Sequence, residues 1–402
     1  MKVLVSAYAC EPDKGSEPGV GWQWVIAIAA NHDVWVCTKG NNKDNIEREL
    51  RNKPIPNLHF IYVDLPQWLS FWKKGQRGVH LYYYLWQFAA FFHSIKIHRK
   101  IGFDIGHHIT FVNAWLWTFL ALMPIPFIWG PIGTNRKLPP QLLPNIYERA
   151  KNLLRYSFQI LIRSIDPLYW ISVIRADVIL VINKDTQNIF PLRYIAKHKI
   201  DIEPAIGTDP IHHKSNRDNI FNVLFVGRFI LIKGVHLAME AFAIFSKEKE
   251  NVRFTLIGEG LLEKRLLHIV KEARIEDKVS IVRWMPREFA IAAMSKSDAF
   301  LFPTMEGAGM VVLEAMAAGL PVICLDFGGP STMVDDKSGI RVAIKSYTET
   351  IAALSRALEF LYNNPRIKDS MGSCAAERVA NLYTWSKKSE IVDKYYKHII
   401  ST

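Results

Sequence analysis

The chain has 402 residues, half of them hydrophobic, with 50 Lys and Arg against 38 Asp and Glu, a formal charge of +12. That length exceeds what one core accommodates, so two domains are expected, each with enough apolar residues for a core of its own. The cationic surplus suits anionic partners such as acidic headgroups or phosphorylated substrates, while the absence of a continuous basic stripe sets nucleic acid aside.

Cys10, Cys37, Cys324 and Cys374 lie far apart without metal-ligand spacing. They are expected as buried or free thiols in a reducing compartment. The start, Met1–Ser6, enters a strand-like run and soon meets Cys10-Glu11-Pro12-Asp13, too short for the apolar region of a signal peptide. No uncharged apolar run reaches the roughly 18 residues of a membrane span. A cytoplasmic protein, free or resting on the inner face of a membrane, is the expectation.

Val3–Ala7 reads as a buried strand, followed by the loop Asp13–Gly21, an apolar helix from Trp22 to Ala30, and a second strand at Val34–Thr38. Such alternation predicts a parallel sheet flanked by helices. A glycine-rich loop after the first strand lies at the carboxyl edge, where ligands bind. Gly19 and Gly21 are candidates there, as ligand-covering or simple turn residues. The loop does not carry a Gly-x-Gly-x-x-Gly fingerprint, so a nicotinamide cofactor is disfavoured. Asn57–Val63 is a further strand. Trp68–Lys74 and Leu81–Phe92 interleave aromatics with cations, which fits either an interfacial surface or a buried helix. Arg149–Trp170 repeats the pattern. Strand-like runs end at Phe103–Thr110, with His107 and His108 adjacent, and at Pro126–Gly133 and Ala176–Asn183. The charged run His212–Asn219 reads as a linker. The expected domains are 1–210, joined by the terminal helix 385–402, and 211–384.

The second half restarts with the strand Phe221–Val226, then Gly227-Arg228 and, five residues after the arginine, Lys233-Gly234 before a helix from Val235 to Ser246. Two cations just past a strand end can neutralise a diphosphate, Arg as a fork and Lys as a point charge. Further strands are Phe254–Ile257 and Val279–Trp284. The strand-like run Ala299–Phe302 precedes Pro303-Thr304-Met305-Glu306-Gly307-Ala308-Gly309-Met310, which opens a helix closed by Gly319 and Pro321. Gly307 and Gly309 permit close approach of a ligand, and the helix start offers unpaired N–H groups to a phosphate. Glu306 sits in the turn. Glu314, after seven intervening residues, lies about a turn and a half into the helix. Pro321–Leu325 and Ile340–Val342 are strands, followed by helices Tyr347–Tyr362, Asp369–Leu382 and Trp385–Ile400.

The Glu–seven residues–Glu run, followed by an alanine-rich helix and Gly319-Leu320-Pro321-Val322, closely resembles the signature of retaining GT-B glycosyltransferases of the family 4, or group 1, type. Gly227-Arg228, four residues, Lys233-Gly234 matches the same family's pattern in full. The resemblance implies two doubly wound parallel-sheet, Rossmann-like α/β domains facing across a cleft. It implies that Glu306 approaches the donor sugar, that Glu314 binds the ribose, and that Arg228 and Lys233 hold the donor pyrophosphate beside Gly307, Gly309 and Met310. It further implies a donor-side histidine after Asp104, either His107 or His108, and a role for the Gly19/Gly21 loop in covering donor phosphates and acceptor. Departures are Ala308 where relatives have a large residue, Arg283 where they have Gly, Ile206 for Asn, and Ser331-Thr332 where a further Glu is common.

The implied activity is transfer of a sugar, with retention, from a UDP- or GDP-linked donor to a saccharide acceptor of the lipid-linked or cell-surface polysaccharide kind. No Asp-x-Asp motif is present, so metal independence is expected, with no cofactor besides the donor substrate. A nucleotide-sugar epimerase on the same scaffold, or a non-catalytic nucleotide-sugar-binding protein, are the alternatives. Product analysis with donor alone separates the first. The intact Arg228, Lys233, Glu306 and Glu314 set weighs against the second.

Overall fold

A computed structural model describes residues 1–75, 77–134, 137–190, 199–211 and 219–401. The chain divides into two compact units. The first is formed by residues 1–134, 154–206 and 385–402, the second by 135–153 and 207–384. Residues 135–153, placed by the sequence reading in the first domain, group with the second. Of the expected linker, only Asn219 lies within the described residues.

The first unit carries seven parallel strands: β1 (Lys2–Ala7), β2 (Asp33–Thr38), β3 (Leu58–Tyr62), β4 (Ile105–Thr110), β5 (Phe127–Ile132), β6 (Val178–Val181) and β7 (Ile200–Ile202). Their order is β3-β2-β1-β4-β5-β6-β7, so the winding reverses between β1 and β4. Every residue of β4, β5 and β6 is buried, as expected of strands covered on both faces. The short β7 was not anticipated from the sequence.

A tryptophan-rich core fills this unit. Trp24, Trp86, Trp117 and Trp129 are fully buried. Two of them satisfy their indole N–H groups on backbone carbonyls, Trp24 on Ala205 at 2.7 Å and Trp86 on Val63 at 2.8 Å. The terminal helix Trp385–Ser401 packs into the same unit. Its Lys388 is wholly buried, pairs with the Glu203 carboxylate, donates to the Pro204 carbonyl at 2.6 Å and lies over the Trp24 ring. Tyr396, two turns on, is also fully buried.

The helix after β1 spans Ser16–Ala29, so Gly19 and Gly21 stand inside it and not in a loop, a correction to the sequence reading. The reason is steric: a Cβ on Gly19 would meet the Lys14 carbonyl oxygen at 1.9 Å, and one on Gly21 the Ala9 carbonyl oxygen at 2.1 Å. These glycines let the preceding loop lie against the helix.

The aromatic run becomes the helix Val79–Ile101. Tyr82, Tyr83, Trp86 and Ala90 form its buried stripe at helical spacing, while Leu81 and Phe92 stay exposed. The expected buried helix is thus present, with an exposed face beside its buried stripe. The helix Ile146–Ile165 is more exposed: Ile146, Tyr147, Leu154, Phe158, Leu161 and Ile165 all face solvent. No helix among the described residues is long and apolar enough to cross a membrane.

The second unit carries six parallel strands: β8 (Phe221–Val226), β9 (Val252–Ile257), β10 (Val279–Val282), β11 (Ala299–Leu301), β12 (Val322–Leu325) and β13 (Gly339–Val342), in the order β10-β9-β8-β11-β12-β13. The reversal falls between β8 and β11. Phe300 and Leu301 of β11 are completely buried, so the turn that follows is anchored by a fixed strand end.

Candidate functional site

The carboxyl ends of β8 and β11 lie side by side, with Phe300 registered against Leu224. Loops leaving neighbouring strands at a reversal of winding form a natural ligand crevice. The two loops are stitched together by backbone: the Met305 N–H donates to the Ile232 carbonyl at 2.8 Å, and the Thr304 hydroxyl donates to the same oxygen at 3.1 Å. Gly234 takes a left-handed φ of 68°, and any Cβ there would meet the Pro303 carbonyl oxygen at 2.0 Å. On the other side the Gly329 N–H donates to the Glu306 carbonyl at 3.1 Å, and a Cβ on Gly329 would meet the Ala308 oxygen at 2.0 Å. The turn 303–309 is thus clamped between two loops that approach only because glycine stands at both contacts.

This clamp brings Lys233 and Glu306 together. The Lys233 ammonium donates to a Glu306 carboxylate oxygen at 2.6 Å and lies 5.4 Å from the Phe302 ring centroid. The two side chains are 17% and 21% exposed, so both heads remain reachable from solvent. Arg228, one residue past Gly227, is exposed and makes no ion pair among the described residues. Its guanidinium offers five N–H donors.

The helix after the turn spans Met310–Ala317, with Gly309 before its first residue at a φ of 133°. Glu314 is buried in its second turn. One Glu314 carboxylate oxygen accepts from Arg287 Nε at 2.8 Å and forms an ion pair with Arg287 Nη2 at 2.7 Å. Arg287 opens the helix Arg287–Met294 and was missed in the sequence reading. Arg283, standing where the resembled family has Gly, is exposed and held by Glu263 through Nε and Nη2 at 3.0 and 2.8 Å. Where a further carboxylate was not expected, Asp326 accepts from the Ser331 hydroxyl at 2.5 Å. The second unit therefore gathers Arg228, Lys233, Glu306, Glu314, Gly307, Gly309 and Met310 around the ends of two adjacent strands. Cations with free donors, a carboxylate beside them and a helix start suit a diphosphate-bearing ligand.

His107 and His108 belong to β4 in the first unit, and adjacent strand residues face opposite ways. His107 is fully enclosed. Its Nδ1 accepts from the Tyr396 hydroxyl at 2.6 Å and its Nε2 donates to the Gly130 carbonyl at 2.8 Å, so both ring nitrogens are taken. Burial pushes it down to about 3 and keeps it neutral. His108 donates through Nε2 to the Phe111 carbonyl at 3.3 Å, while its buried Nδ1 has no hydrogen-bond partner. Burial pushes it down to about 4. Glu17, in the first turn of the helix Ser16–Ala29, accepts from the Val112 N–H, and burial pushes its carboxyl up to about 7. No group of three or more His, Cys, Asp or Glu placed to hold a metal ion occurs among the described residues.

Residues 208–378 match the family model described as glycosyl transferases group 1, which accounts for most of the second unit. Over 226 residues the chain is 29% identical to a D-inositol 3-phosphate glycosyltransferase of Pseudarthrobacter chlorophenolicus, covering 50% of this chain and 53% of that one. The chain thus spans about half the length of this curated relative. Its fold matches that of a sucrose-phosphate synthase from Thermosynechococcus elongatus with a TM-score of 0.66 at 17% identity, covering 100% of this chain and 99% of the other. It also matches HepE from Anabaena, solved in complex with UDP, with a TM-score of 0.65 at 13% identity over 99% of this chain and 100% of the other. The architecture of two parallel-sheet α/β units is the GT-B fold of these structures.

Proposed function

We propose that this protein is a group 1 glycosyltransferase that moves a sugar from a nucleotide-sugar to an acceptor hydroxyl. The observation that carries the reading is the Lys233–Glu306 pair at the joined ends of β8 and β11, with Arg228 beside it, inside the segment that matches the family model. In this reading Arg228 and Lys233 hold the donor diphosphate and the N–H groups around Gly309 and Met310 add positive potential. Charge grows on the departing diphosphate in the transition state, and fixed cations there lower the barrier by several kcal/mol. Glu306 is the carboxylate nearest the sugar. Glu314 takes a ribose hydroxyl, with Arg287 fixing its orientation.

The proposal extends to retention of configuration, a UDP- or GDP-linked donor, and independence from metal ions, the side-chain cations filling that role. Of the two histidines, His108 is the one with a ring nitrogen to offer. The first unit receives a saccharide acceptor, one belonging to a lipid-linked or cell-surface polysaccharide precursor. Exposed Trp68 and Phe71, and the exposed apolar residues of the helix Ile146–Ile165 with Arg149, Lys151, Arg155 and Arg163 among them, support contact with an anionic membrane face. Flotation with anionic liposomes at low salt tests that contact, and protein left at the bottom of the gradient would refute it.

The activity test uses a panel of labelled nucleotide-sugars, a bacterial membrane extract as acceptor source, and EDTA throughout. Label moves from one nucleotide-sugar into an extractable saccharide product, and Glu306→Gln abolishes the movement. Release of an epimerised nucleotide-sugar instead, or activity only after magnesium or manganese is restored, would overturn the corresponding part of the reading.

A further inference from the structure

The first unit has a second concentration of cations that the donor reading does not use. Tyr8 follows β1, Lys39 follows β2 and Asp64 lies two residues past β3, so all three stand at the carboxyl edge of the sheet, next to the reversal between β1 and β4. Lys39 Nζ lies 5.6 Å from the Tyr8 ring centroid and 5.1 Å from that of Tyr82. Lys73 Nζ lies 5.2 Å from the same Tyr82 ring and donates to the Gly75 carbonyl at 3.2 Å. The Tyr82 hydroxyl donates to Asp64 Oδ1 at 3.2 Å. The rings are buried, so they support the ammonium groups and are not themselves open faces.

The Lys39 ammonium makes neither an ion pair nor a hydrogen bond among the described residues, its ring contacts with Tyr8 and Tyr82 aside. It is half-buried, and burial together with the nearby Lys73 makes its charged form costly, with Asp64 only partly compensating. A half-buried ammonium with unspent donors, lying against the same tyrosine ring as a second ammonium, is an arrangement that an anion completes.

We propose that Lys39 and Lys73 form a subsite for an anionic group, a phosphate or carboxylate, carried by the acceptor saccharide. This deepens the glycosyltransferase reading and rests on it for the word acceptor, but the anion site itself does not. The two lysines fix one end of the acceptor while its hydroxyl remains free to react. Lysine serves here as a point charge on a flexible stem, which tolerates either anion geometry.

The test is ligand-observed NMR at low salt with glucose 1-phosphate, glucuronate and methyl glucoside, on protein and on Lys39→Gln, Lys73→Gln and the double variant. All proteins also carry Arg228→Ala and Lys233→Ala, so that phosphate cannot report the donor site. A separate titration of UDP uses the chain with native Arg228 and Lys233, with and without the two glutamine substitutions. Glucose 1-phosphate or glucuronate binds, methyl glucoside binds at least about tenfold more weakly, each single substitution costs about tenfold, and the double variant loses binding. Phosphate binding supports a phosphorylated acceptor, glucuronate binding an acidic sugar. Lys39→Arg retains binding, which a purely structural lysine contact would not require. Equal binding by the double variant, or equal binding of methyl glucoside, would overturn the subsite. UDP affinity unchanged by the lysine substitutions but present confirms that the two sites are separate. UDP binding absent with anion binding intact would overturn the donor reading and leave the subsite standing.

Discussion

Removing Lys233 should weaken nucleotide binding, whereas removing the charge of Glu306 should not. The two heads meet at 2.6 Å. At an effective dielectric of about 20, that separation gives a gross attraction of about 6 kcal/mol. Desolvating two largely buried groups offsets most of it, leaving a net coupling of about 1–2 kcal/mol. In the donor reading Lys233 also bonds a phosphate, a charge-assisted contact worth about 1.5–3 kcal/mol, so Lys233→Ala weakens UDP about 10- to 100-fold. Glu306→Gln instead removes a carboxylate that competes with phosphate for the ammonium. It leaves UDP binding equal or tighter while sugar transfer falls. Calorimetric titration of UDP, or of whichever nucleotide binds, measures the affinities, and urea unfolding of both single variants and the double measures the coupling. Weakening of UDP by Glu306→Gln to the same extent as by Lys233→Ala would refute the assignment of one group to phosphate and the other to sugar. A coupling near zero would refute the pair itself.

The pH dependence of stability is set by buried groups of opposite sign. Glu17 keeps its proton in the fold up to about 7, against an ordinary value of 4.5, so stability falls as pH rises between those values, by at most about 3 kcal/mol, and is flat above. Glu17→Gln, which preserves the bond from Val112, matches the parent at pH 4 and exceeds it at pH 8 in urea unfolding; parallel profiles would contradict this. His107, His108 and His236 are held neutral by burial, so the unfolded chain takes up protons below about 6.5 and stability drops as pH falls towards 4 and 3, a limb that His236→Gln shortens. Lys388→Ala leaves Glu203 as a buried carboxylate without its ammonium and costs about 3–5 kcal/mol, whereas Lys388→Met with Glu203→Leu recovers most of it; equal losses in both would contradict the pairing. Gly329→Ala drives a methyl into the Ala308 carbonyl, costing about 1–3 kcal/mol in stability and weakening nucleotide binding with it.

The second unit was largely legible because its signals are local. Gly227-Arg228 and Lys233-Gly234 sit within one loop, and the left-handed φ of Gly234 is what a glycine after a lysine at a helix start suggests. The strand–turn–helix around Glu306 reads the same way. Partners distant in sequence were not legible: Arg287 reaches Glu314 only because two helices converge, and no spacing announces it. Gly19 and Gly21 look like loop glycines until the Ala9 and Lys14 carbonyls are seen pressing on a helix, since close approach requires glycine in either setting. The sequence does not tell His107 and His108 apart, because what occupies the His107 ring is Tyr396, 289 residues away. Alternation along a strand says that only one of them faces a given side, but not which.

The donor site is tested most directly by calorimetric titration with UDP, GDP, ADP and CMP, alongside the 2′-deoxy form of whichever binds, on the protein and on Arg228→Ala and Glu314→Ala. One nucleoside diphosphate is preferred, and Arg228→Ala weakens it about tenfold or more. A ribose hydroxyl contributes in the parent, and Glu314→Ala erases that contribution. A nucleotide that binds equally well to all three proteins, or no binding by any nucleotide, would contradict the donor site.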